Sequence, residues 1–224
     1  GYWFSKDLLN WKFIEPVNWF FSASNAPGAF PYGDKIIALG DPSAIGSVIE
    51  TDNPKLGDWK TNYGVLPMSV WDPALFVDDD QKVYLYEESS NKNPIRAVEL
   101  DPDNMFLPKT EQVDLFTLDP EQHGWERYGQ NHTSDITPYM EGAWMTKHQG
   151  TYYLQYAAPG TQWNVYANGV YTSDNPLGPF EYAAYNPISY KPSGFISGAG
   201  HGSTVRTNSG DYCHFGSMLI SVNY

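Results

Sequence analysis

The chain predicts an all-β protein of the propeller class, with five blades of which the first and last are incomplete. Three observations carry that prediction. Eight Trp and seventeen Tyr stand with twenty Gly and seventeen Pro in 224 residues, which describes many short strands joined by tight turns. A strand, a polar turn and a second aromatic or β-branched strand recur four times. A second element, a strand ending in a small acidic turn and resuming with an aromatic, recurs three times, and equivalent positions lie roughly 45 to 70 residues apart, as in blades that carry loop insertions.

The four hairpins run from Ala29 to Leu39, Leu75 to Tyr86, Trp144 to Leu154 and Val205 to Phe215. Their turns place Gly, Asn and Asp where a tight hairpin needs a positive φ. The second element reads Phe4 to Trp11, Glu50 to Trp59 and Thr172 to Phe180. A hairpin followed by third and fourth strands makes one blade. In this phase the chain opens on the third strand of one blade and stops after the second strand of another. The expectation is a single propeller domain over 1–224, a fragment lacking the inner hairpin of its first blade and a C-terminal tail.

Composition narrows the function. A hydrophobic fraction of 41% is enough for a sizeable core. A net charge of −13 without a basic stripe argues against nucleic acid, whose phosphates need clustered Lys and Arg. Cys213 is the only cysteine, which rules out an intramolecular disulfide and reads as a small core residue. No apolar run approaches a membrane span, and Gly1 to Phe4 lacks the basic start of a signal peptide.

Three residues share one phase. Asp72 precedes the innermost strand of its blade, Glu141 precedes that of the next, and His201 lies between Gly200 and Gly202 at the start of the last. Inner-strand ends converge on the axial channel, where carboxylates can face one another. Paired carboxylates in a cleft are what glycosidic hydrolysis uses, one protonating the leaving oxygen and the other activating water or attacking. Read singly, each has an ordinary alternative. Asp-Pro also occurs at Asp41-Pro42, Asp101-Pro102 and Asp119-Pro120, where it reads as a turn, and a lone His is commonly a hydrogen-bonded structural residue.

Taken together, Trp71 to Asp80, Glu141 to Met145 with its Tyr152-Tyr153-Leu154 strand, Asp174 to Phe180, Gly200 to Ser203 and Phe4 to Trp11 resemble the family 43 glycoside hydrolases, five-bladed β-propellers. The resemblance covers nearly the whole chain. It implies an arabinofuranosidase- or xylosidase-like enzyme that inverts, with Glu141 as general acid, Asp72 as the carboxylate that tunes and orients it, and His201 helping to hold a central cation, often calcium, through water. No other cofactor is implied, and a secreted or periplasmic location is. The family's general base is an Asp upstream of the segment matching Phe4 to Trp11; Asp7 sits in a turn facing the rim and does not match it. The fructoside-cleaving propeller hydrolases match less well, because their acid precedes Cys and their tuning Asp follows Arg. Neoagaro-oligosaccharide hydrolases stay open, as does a catalytically silent propeller that binds carbohydrate.

For sugar binding, aromatic faces stack on rings while Arg and His donate to hydroxyls. Candidates are Trp71 and Trp144 beside the carboxylates, and His123, Trp125 and Arg127 on an insertion expected near the channel mouth, with packing over a blade edge as the other reading. Trp163 has a similar claim. Asp78-Asp79-Asp80 reads as an acidic hairpin turn rather than a calcium loop. Asn131-His132-Thr133 satisfies the N-glycosylation pattern, which matters only in a eukaryotic secretory host.

Overall fold

The computed structural model of the chain describes residues 1–18, 26–40, 48–61, 63 and 66–220, and among these all four predicted hairpins form. They pair β3 (Gly28–Tyr32) with β4 (Lys35–Leu39), β6 (Ala74–Val77) with β7 (Val83–Glu87), β11 (Glu141–His148) with β12 (Thr151–Ala158), and β15 (Ile196–Arg206) with β16 (Tyr212–Ile220). The tightest are two-residue turns. Tyr32 pairs with Lys35 across Gly33, and His148 with Thr151 across Gln149 and Gly150, both of positive φ.

A third strand joins three of the hairpins and a fourth strand two of them, among the described residues. Among the described residues there are five antiparallel sheets: β1 (Tyr2–Ser5) with β2 (Trp11–Ile14); β3 and β4 with β5 (Val48–Thr51); β6 and β7 with β8 (Ile95–Asp101), β9 (Leu107–Pro108) and β10 (Val113–Phe116); β11 and β12 with β13 (Ala167–Ser173) and β14 (Glu181–Tyr182); and β15 with β16. These are the five blades, the outer two carrying two strands each. The fold is the all-β propeller that the repeats predict. Asp41-Pro42 lies outside the described residues.

Blades pack through the faces that strand alternation leaves apolar. One cluster joins the second, third and fourth blades through Phe30, Ile37, Leu85, Tyr86, Phe106, Met140, Leu154 and Tyr156. Polar contacts pin the blades in register. Asp78 is buried: it accepts hydrogen bonds from Lys147 Nζ at 2.6 Å and Tyr152 Oη at 2.5 Å, both from the next blade. It is therefore an inter-blade anchor as well as part of a turn. Trp144 stacks on Phe30 at 5.3 Å and donates from Nε1 to the Thr204 carbonyl at 2.7 Å, so one indole ties three blades together.

Two expectations are corrected. Cys213 lies half-buried on β16 rather than in the core, because β16 is an outer strand exposed along most of its length. His123, Trp125 and Arg127 do not face the channel. His123 stacks on Tyr182 with ring centroids 3.5 Å apart, Trp125 Nε1 donates to Tyr182 Oη at 2.9 Å, and both surround Glu126, which is fully buried and accepts from Tyr156 Oη and from the Asp119 N–H. Arg127 is half-exposed and pairs with Asp135 at 3.5 Å, and the insertion caps the edge of the fourth blade. Among the described residues no helix is long and apolar enough to cross a membrane.

Candidate active site

Asp72, Glu141 and His201 come from three different blades and meet. One ligating atom from each falls within 4.8 Å of the others, and the three line a cavity of about 400 Å³ with Trp71, Ser89, Tyr139 and Thr161. A second cavity, of about 590 Å³, shares Asp72, Thr161 and His201 with the first and adds Trp144.

Local irregularity aims these side chains. The register of β11 against β12 shifts between Glu141 and Trp144, and that of β15 against β16 shifts twice between Gly198 and Ser203. Such bulges rotate a side chain out of the alternation of its strand. Asp72 and His201 both have φ near +48°, and Glu88 and Ala199 are also left-handed. Non-glycine residues so placed around one cavity are strain held by the surrounding fold, a pattern typical of sites that do chemistry. The glycines make room rather than merely baring the cavity. A Cβ on Gly142 would lie 3.0 Å from the His201 ring, and one on Gly200 would lie 2.3 Å from the Tyr166 ring.

Glu141 is held at both oxygens, Oε2 accepting from Ser89 Oγ at 3.0 Å and Oε1 from Tyr166 Oη at 2.6 Å. Asp72 is buried, and its Oδ2 has no hydrogen-bond partner while lying 3.9 Å from His201 Nδ1. Burial pushes the Asp72 carboxyl up from 3.8 to about 7, and the negative charge of Glu141 adds to it; the nearby Ser89 hydroxyl and the Gly142 N–H oppose the rise. Burial also holds the His201 imidazole below its ordinary value, against the opposing pull of Glu141.

The shift on Asp72 has a stability consequence. Its folded pKa lies above the unfolded one, so the folded state holds a proton that the unfolded state releases, and stability is lost as pH rises from about 4 through 7 at about 1.4 kcal/mol per pH unit. The groups facing it are Glu141, Glu88 and His201. Asp72→Asn removes the titration, so the variant should melt above the wild type at pH 8 and close to it at pH 5. Melting curves offset equally at both pH values would contradict this.

An ionic network centred on the buried Glu87 and Glu88 supports the Trp71-Asp72 turn. Arg96 Nη2 lies 2.9 Å from Glu87 Oε1 and 2.9 Å from Glu88 Oε2, and Gln112 Nε2 donates to Glu87 at 2.7 Å. Glu87 in turn accepts from the Trp71 N–H at 3.3 Å, and the Glu88 N–H donates to the Trp71 carbonyl at 2.9 Å. This network ties the Trp71-Asp72 turn to the strand end that presents Ser89.

Sequence reasoning reached Asp72, Glu141, His201 and Trp71 but missed Ser89, Tyr139, Thr161 and Tyr166. Trp163 packs edge-on against Tyr128 at 5.5 Å and lines neither cavity. Asp7 accepts from the Leu9 and Asn10 N–H groups and from Asn10 Nδ2, an exposed turn satisfied by its own neighbours. Among the described residues lining the first cavity, Asp72 and Glu141 are the carboxylates.

Known proteins are similar to this chain. An arabinoxylan arabinofuranohydrolase of Paenibacillus polymyxa is 33% identical over 129 residues, 54% of this chain and 19% of that protein. A putative beta-xylosidase of Escherichia coli is 32% identical over 149 residues, 63% of this chain and 25% of its own length. The crystal structure of xylan beta-1,4-xylosidase from Bacillus halodurans superposes with a TM-score of 0.72 at 19% identity, over 98% of this chain and 45% of that one. The chain thus spans a quarter or less of the length of these curated relatives. The family described as Glycosyl hydrolases family 43 matches residues 2–217, and the chain belongs to that family.

Proposed function

We propose that this chain carries the proton-donor side of a glycoside-hydrolysing site that acts on xylan- or arabinoxylan-type polysaccharide or its oligosaccharides. The observation that carries the reading is the convergence of Asp72, Glu141 and His201 from three blades on one cavity. Glu141 faces the cavity and protonates the leaving oxygen. Asp72 lies beside it, buried, and sets the proton balance of the pair. Two carboxyl groups this close share protons as a unit, so the acid function belongs to the pair as much as to Glu141. Trp71, 38% exposed, offers a ring face to a sugar, and Trp144 lines the adjoining cavity.

Inversion is the stereochemical course proposed. It requires a base carboxylate about 6.5 to 9.5 Å from Glu141, with room for a water between them. The donor set also fits a hydrated calcium ion. Asp72 Oδ2 is buried without a partner, and the His201 nitrogen, a poor direct ligand for calcium, reaches such an ion through water. Bound there, the ion would supply fixed positive charge near the carboxylates; no other cofactor is proposed. Because a polysaccharide does not cross membranes unaided, the place of action proposed is outside the cytoplasm.

The test is to incubate the full-length protein with arabinoxylan, xylo-oligosaccharides and the aryl α-arabinofuranoside, β-xyloside and β-galactofuranoside. Release of arabinose or xylose in excess of the others is the expected result. Saturable binding of the polysaccharide with no sugar released would favour a carbohydrate-binding propeller instead.

A further inference from the structure

Of the two hydroxyls that hold Glu141, Tyr166 makes the shorter hydrogen bond. Its ring is almost fully buried, and its hydroxyl donates to Glu141 Oε1 at 2.6 Å. The chain makes space for it at one point: a Cβ on Gly200 would lie 2.3 Å from ring atom Cδ1. The two oxygens of Glu141 are therefore unlike. Oε1 faces a buried phenol, whereas Oε2 faces Ser89, which lines the cavity that Glu141 itself lines.

We propose that Tyr166 is a positioning residue that selects Oε2 of Glu141 as the proton-delivering oxygen and stabilises the carboxylate left behind. This inference rests on Glu141 being the acid. A carboxylic acid carries its proton on one oxygen. The shorter hydrogen bond, from the buried phenol, favours Oε1 as the carbonyl oxygen and leaves the proton for Oε2, on the cavity side, where the Ser89 hydroxyl rotates from donor to acceptor. As the glycosidic bond breaks, the proton passes from Oε2 to the leaving oxygen, the electron pair of the O–H bond stays on Glu141, and the Tyr166 hydroxyl then donates to a full carboxylate. A hydrogen bond to an ionised acceptor is roughly twice as strong as a neutral one, so the contact strengthens as the proton leaves. The phenol keeps its proton throughout, because burial and the neighbouring Glu141 raise it well above its ordinary value.

The test is Tyr166→Phe in the full-length protein, assayed on two glycosides of the sugar it cleaves. One has a poor leaving group, such as an alkyl alcohol or a second sugar; the other has dinitrophenol, which departs without protonation. The expected result is a loss of kcat of about tenfold or more on the poor leaving group. Change on the dinitrophenyl substrate should stay within about threefold, with KM similar for both. Equal losses on the two substrates, no loss on either, or a variant that no longer folds would each overturn the proposal, since each makes the hydroxyl a structural contact or an idle one. Glu141→Gln, run in parallel, separates this from the underlying assignment. If that variant shows the leaving-group dependence and Tyr166→Phe does not, the inference about Tyr166 alone fails; if neither does, the assignment of the acid fails.

Discussion

Glu141→Gln is expected to lower kcat on a glycoside with a poor leaving group by about a thousandfold, and on the dinitrophenyl glycoside by less than about tenfold. The amide keeps the shape of the carboxyl and can still meet Ser89 and Tyr166, the two hydroxyls that hold it. What it lacks is a proton that it can give away. Leaving groups that depart as stable anions do not need that proton, so the two substrates divide loss of acid catalysis from loss of binding. The fold should be untouched, since neither hydroxyl contact lies in the inter-blade core, and the melting temperature should stay within a few degrees. Comparable activity on the poor leaving group would remove Glu141 from the role.

Arg96→Met is expected to destabilise the protein by about 3 to 5 kcal/mol at pH 8, although Arg96 lines neither cavity. The guanidinium is the cation that neutralises two buried carboxylates, Glu87 and Glu88. Met has a similar apolar stem and leaves both carboxylates in place without a cation. Burial already pushes Glu87 up to about 7 despite the opposing effect of Arg96. Without Arg96 that carboxyl rises further, so it folds protonated at low pH with little penalty and must fold ionised, or take up a proton, at high pH. The loss should therefore be largest above pH 7 and shrink toward pH 5. Urea unfolding at the two pH values reads this directly, and a loss below 1 kcal/mol at both would contradict it. Because Glu87 and Glu88 also bind the backbone of Trp71, the variant should lower kcat as well.

How much of this was legible depends on the range of the interactions. Each hairpin is written locally, in alternating apolar residues around a turn such as Gln149-Gly150, and turn chemistry needs no distant partner. Repetition then supplied the phase, and the phase placed Asp72, Glu141 and His201 at equivalent strand ends before any contact was known. Ser89 and Tyr166 carried no such mark. Each acts on Glu141 from another strand or loop, 52 and 25 residues away in the chain, and only the packed blades bring the hydroxyls to it. The His123-Trp125-Arg127 insertion misled for the same reason. Aromatic and basic residues on a loop look available for a sugar, but Tyr182, the partner that occupies both His123 and Trp125, stands nearly sixty residues on, and the burial of Glu126 between them is not written locally. Asp78 is the converse: a residue in an acidic turn that reads as solvated holds Lys147 and Tyr152 of the next blade. Local pattern shows the strands and their ends; satisfaction of buried polar groups is decided in three dimensions.

The pH dependence of kcat/KM on a glycoside with a poor leaving group, measured for the full-length wild type and for Glu141→Gln, tests the central claim most directly. In the wild type the alkaline limb of the profile reports ionisation of the acid pair. If Glu141 is the proton donor, that limb disappears in the variant and the rate stays level as pH rises, while the acidic limb, set by the base, is unmoved. An alkaline limb that persists unchanged in Glu141→Gln would mean that another group delivers the proton, and would contradict the account.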